Sequence, residues 1–106
     1  MKNLLPLTLA FAIMSSPLLA QETAEEPVET AKYCETIAGI SEKIMMNRQA
    51  GASLSDALAI AKLDLVRMIV MDAWETPRYS MESLSQREVD DFRDKWHLLC
   101  LKSVSE

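Results

Sequence analysis

The sequence predicts an all-α protein: a small three- or four-helix domain with one disulfide, preceded by a signal peptide and a flexible acidic leader. Three observations predict it. From about Ala31 onward apolar residues recur at steps of three and four, the spacing of one face of a helix. The only two cysteines, Cys34 and Cys100, stand near the two ends of that stretch. The first twenty residues have the charge and hydropathy order of an export signal.

Residues 1–20 begin with Lys2, continue through an apolar run from Leu4 to Met14, and end in Ser15-Ser16-Pro17-Leu18-Leu19-Ala20. The run is shorter than the roughly 20 apolar residues that span a bilayer, so cleavage after Ala20 is expected, with no stable membrane anchor left behind. Export places the cysteines in an oxidising compartment, the periplasm or the medium, where a pair is read first as a bridge. Sixty-six positions of separation make that bridge worth about 4 kcal/mol in the chain-entropy picture. Neither a Cys-x-x-Cys motif nor a marked base accompanies them, so the bridge is expected to be structural.

Charge narrows the function classes. The 106-residue chain carries a net charge of −5, and removing Lys2 with the signal makes it −6. Much of the acid lies in residues 21–35, where five glutamates face Lys32 alone. An acidic chain without a basic stripe is not built for nucleic acid or anionic membranes. Residues 21–30, made largely of Glu, Thr, Ala and Pro, have little to bury and are read as the flexible leader. Residues 31–106 are then the helical domain.

Its first helix carries Cys34, Ile37, Ala38, Ser41, Ile44 and Met45 on one face and ends at Gly51. Ser53-Leu54-Ser55-Asp56 has the form of a capping box, opening a segment with Leu54, Leu58, Ala61 and Leu65 as its stripe. Asp64 marks a break between that short helix and the next. From Leu63 to Trp74 the chain is apolar nearly all round, which predicts a central helix wrapped by the others. Thr76-Pro77 stops it. Ser80 or Ser83 is expected to cap the last helix, whose face is Val89, Phe92, Trp96, Leu99 and Cys100. A bridge between Cys34 and Cys100 then favours antiparallel packing of the first and last helices.

Cys34, Ala38, Ile44-Met45, Arg48-Gln49 and Gly51, the run from Asp72 through Ala73-Trp74-Glu75-Thr76-Pro77 to Arg78-Tyr79, and Phe92, Trp96 and Cys100 together carry a resemblance. Over residues 33–100 the chain resembles an uncharacterised family of short exported, single-disulfide helical proteins of Gram-negative bacteria and their phages. That resemblance implies a bridged helical fold and no activity. The layout of signal, acidic leader, helices and one bridge also looks like that of periplasmic acid-stress chaperones, without a shared motif.

Side chains that could carry chemistry are few. His97 is the only histidine and has no acid or nucleophile marked beside it, so it is read as a boundary residue. Met68-x-x-Met71 and Met45-Met46 could offer thioethers to Cu(I), but the same pattern is read here as core packing. Neighbouring acids such as Asp90-Asp91 point to different sides of a helix and are read as a solvated face. The chain is therefore not expected to be an enzyme, nor to hold a metal or cofactor. The stretch that stands out is Trp74 with Pro77-Arg78-Tyr79, to which Arg48-Gln49, at the end of the first helix, adds a donor. Trp, Arg and Tyr are the types enriched at binding hot spots, so Arg48, Trp74, Arg78 and Tyr79 are the candidate interaction surface for a protein partner. The alternative for the same residues is packing of the turn and capping of the first helix. The reading for the whole chain is a small exported protein-binding factor of inhibitor or immunity type, or alternatively an acid-stress periplasmic chaperone that would expose its residue 63–74 surface as its carboxylates are neutralised.

Overall fold

A computed structural model describes the backbone of residues 9–104 and the side chains of residues 28–104. Among the described residues there are four helices: α1 (Leu9–Ala50), α2 (Leu54–Ile60), α3 (Asp64–Trp74) and α4 (Glu82–Val104). The all-α class with one disulfide is as the sequence predicts. None of these helices is long and apolar enough to cross a membrane. The chain divides into two compact units, residues 1–32 and residues 33–106. The signal and leader readings rest on side chains that, up to residue 27, lie outside the described ones. The helix itself begins well before Ala31, because α1 runs back through the leader stretch.

The second unit holds the core. Cys34, Ile37, Ala38, Ser41, Met45 and Gln49 are the buried positions among the described side chains of α1, at steps of three and four. The buried Ser41 hydroxyl donates to Ile37 O (2.8 Å), which removes the cost of an unpaired donor. Ile37 and Met45 pack with Ile69 and Ala73 of α3 and with Val89 and Phe92 of α4. Cys34 and Cys100 are bonded, with Cα atoms 5.5 Å apart. Two turns further on, Glu42 meets Arg93 (3.7 Å). These two links, advancing along α1 and retreating along α4, make the pair antiparallel as expected. Arg93 also pairs with Asp90 and Asp94. Its guanidinium pKa is raised, first by the hydrogen bond to Asp94 and then by the charges of its acidic neighbours. A pair so open to solvent adds little stability. Asp72 of α3 ties that helix to α4 more firmly, accepting from Trp96 Nε1 (2.9 Å) and pairing with Lys95 Nζ (2.6 Å).

The ends of the helices follow local chemistry. Gly51, at φ 100°, closes α1: its N–H donates to Arg48 O and that of Ala52 to Asn47 O, the pattern that needs a left-handed residue. Ser53 caps α2 by accepting from the Asp56 N–H (3.1 Å). The break before Asp64 is present, and Arg67 Nη1 covers the carbonyls of Leu58, in α2, and Ala61, just after it. Trp74 ends α3 three residues before Pro77.

Four expectations need correction. α3 is not wrapped on all sides: Ile69, Val70 and Ala73 are buried, whereas Met68 and Met71 are more than half exposed. The core-packing reading of the methionines therefore holds for Met45 and fails for Met46, Met68 and Met71. A short α2 with no buried residue covers only one flank of α3, so the other outward positions stay in water. Neither Ser80 nor Ser83 precedes α4 directly. Met81 does, and its carbonyl accepts from Leu84 and Ser85. Leu99, expected on the buried face of α4, is 45% exposed, because the core at that end tapers to Trp96 and Cys100.

Candidate functional site

The C-terminal ends of α1 and α3 meet, and their meeting brings all four candidate residues together. Arg48 Nε donates to Thr76 O (3.0 Å), and its guanidinium lies 5.7 Å from the centre of the Trp74 ring. Arg78 reaches back the other way, Nε donating to Gln49 O (3.2 Å). That carbonyl belongs to the last turn of α1 and has no partner within the helix. A side chain on Gly51 would sit 3.3 Å from the Arg78 guanidinium carbon. Glycine there thus serves twice, for its backbone angle and for the passage of Arg78.

Gln49, which the sequence offers with Arg48 as a nearby donor but not as a site residue, is the hub. It is buried, its Nε2 donates to Pro77 O (2.9 Å), and its Oε1 accepts from the Tyr79 N–H (2.9 Å). Nε2 also lies 3.5 Å from Met45 Sδ. One amide satisfies both a donor and an acceptor of the 75–81 loop, whose turn past Pro77 leaves those groups without backbone partners. The signal was available: Gln49 continues the stripe of Cys34, Ala38, Ser41 and Met45 by one more step of four. A polar residue on a buried stripe is there to bond something.

Arg78 is exposed, while Arg48, Trp74 and Tyr79 are half-buried. Beside Arg78, Tyr79 and Ser80 is a shallow depression of about 180 Å³. A more substantial feature begins at Trp74. Between α1, α2 and α3 runs an open groove of about 290 Å³, lined by Ile40, Ile44, Ala57, Ile60, Val70 and Trp74, with Lys43 on its edge. On the opposite flank of α3, a second groove of about 350 Å³ lies against α4, between Tyr33, Leu65, Met68, Trp96 and Leu99. Ile60 is 73% exposed and marks the outer lip of the first groove. Its exposure was not legible, since it falls off the Leu54–Leu58–Ala61 stripe and so looked like a chance apolar residue.

His97 is half-buried on α4 and joins no other candidate residue. Among the described residues no three His, Cys, Asp or Glu side chains are grouped so as to hold a metal ion. The arrangement offers apolar area and guanidinium donors, which suits recognition of another surface. Comparison with known proteins found no matching family model, no matching curated protein and no matching solved structure.

Proposed function

We propose that this chain is a small exported, non-enzymatic protein-binding factor of the periplasm or the medium, of inhibitor or immunity type. The observation that carries the reading is the open apolar groove ending at Trp74, next to the arginines of the α1–α3 junction. Exposed apolar side chains brought together beside polar ones are one mark of a surface that docks another protein. Two of its walls, α1 and α3, are held in position by the buried core, so little ordering of them is needed on binding. The bridge and the signal-like residues 1–20 support export, and the likeness to short exported proteins supports the same class.

An acid-stress chaperone is the second reading, favoured by Leu63, Met68 and Met71, all more than half exposed on and beside α3. The two readings differ in partner number. An inhibitor or immunity factor has one stoichiometric partner, and a chaperone has many unfolded clients. The test is capture from periplasmic extract with the wild-type protein and with Ile60→Asp as baits. Ile60 is exposed, so its substitution should leave the circular dichroism spectrum unchanged. One species held by wild type and lost by Ile60→Asp supports the binding factor. A broad set of proteins retained by both baits, and increased at low pH, supports the chaperone instead.

A further inference from the structure

We propose that the occupant of the α1–α2–α3 groove is an amphipathic helix of a partner protein, bearing acidic residues beside its apolar ridge; this rests on the protein-binding reading above. The dimensions suit a helix. Lining positions run from 40 to 47 on α1 and from 66 to 74 on α3, about two turns each. That is the reach of apolar anchors spaced i, i+4 and i+7 on an incoming helix.

Charge gives the partner its sign. The protein as a whole is acidic, at −5. Its groove is not: the lining holds Lys43 and no Asp or Glu. Arg48 stands at the Trp74 end, anchored through Nε to Thr76 O, with no acidic partner among the described residues. Two cations of α4 are arranged differently. Arg93 is paired with Glu42, Asp90 and Asp94, and Lys95 with Asp72. Lys43 is therefore an exposed cation at the edge of the groove, and the half-buried Arg48 guanidinium adds a second positive charge beside Trp74. A helix placing Glu or Asp opposite Lys43 and Arg48 would meet complementary charge while its apolar ridge covers Ile44, Ile60 and Trp74. A basic helix would be drawn to the molecule by its net charge and repelled at the groove itself.

Two synthetic peptides of about eighteen residues, long enough to form helix on binding, test this. Both carry the same Leu/Ala ridge; one has Glu and the other Lys at the flanking positions. Their affinities for the intact disulfide-bonded protein are measured by fluorescence anisotropy. The Glu peptide is expected to bind about five-fold tighter at low salt, the size of two exposed charge pairs. Lys43→Glu should abolish the preference, and Ile60→Asp should weaken both peptides. Equal binding, or tighter binding of the Lys peptide, overturns the acidic-helix inference, and if Ile60→Asp still weakens both, the groove remains a binding site. If neither peptide binds, the inference and the protein-binding reading both fail. Sedimentation showing a dimer that Ile60→Asp dissociates would make a second copy the occupant and overturn the inference.

Discussion

Breaking the Cys34–Cys100 bridge is expected to lower the melting temperature by tens of degrees. The bond closes 66 positions of chain, worth about 4 kcal/mol of unfolded-state entropy. A domain of this size has a total stability of only about 5–10 kcal/mol, and each kcal/mol shifts its midpoint by about 4–8 °C. The structure adds a local cost, since Cys34 is fully buried and Cys34→Ser would strand a hydroxyl in the core. The two effects separate by comparing Cys34→Ser with the Cys34→Ala/Cys100→Ala double variant and with reduced wild type. Thermal unfolding followed by circular dichroism should place the double variant level with the reduced protein and the serine variant below both. Midpoints unchanged by reduction would mean that the bridge contributes nothing to the fold.

Substituting Gln49 is expected to be the costliest change at the candidate site, although Gln49 was not among the residues chosen for it. Gln49→Leu keeps the side chain's bulk and removes both hydrogen bonds, leaving the Pro77 carbonyl and the Tyr79 amide without their partners. Unsatisfied groups of this kind cost about 1–3 kcal/mol each, so a loss of about 3 kcal/mol is expected. Hydrogen exchange provides a local reading: the Tyr79 amide should be protected in wild type and exchange freely in Gln49→Leu. Arg78→Ala, which uncaps the Gln49 carbonyl alone, should cost about 1 kcal/mol. If Gln49→Leu melts like wild type, the loop is held by something other than this amide.

How far the fold was legible depended on whether a residue's role is local. Ser53, Gly51 and Thr76-Pro77 act on their own neighbours, and they start and stop helices where the sequence predicts. Cys34 and Cys100 were legible because two cysteines leave one pairing. The central helix was misjudged because periodicity reports how apolar a helix is, not what lies against it. In so small a unit, with α2 only seven residues long, there is not enough protein to cover Met68 and Met71. The composition of Trp74, Arg78 and Tyr79 directed attention to the correct end of the domain. What organises that end could not be chosen from composition, since Gln49 bonds residues 28 and 30 positions away. The groove was invisible for the same reason. Ile40, Ala57 and Val70 become neighbours only once three helices are packed.

Site-specific photo-crosslinking in intact cells tests the central claim most directly. A benzophenone side chain placed at residue 60, on the lip of the groove, is compared with one placed at residue 87, an exposed position on α4. The account predicts that irradiation of the exported protein gives one discrete protein adduct from residue 60 and none from residue 87. Adducts of equal yield from both positions, or none from either, would contradict it.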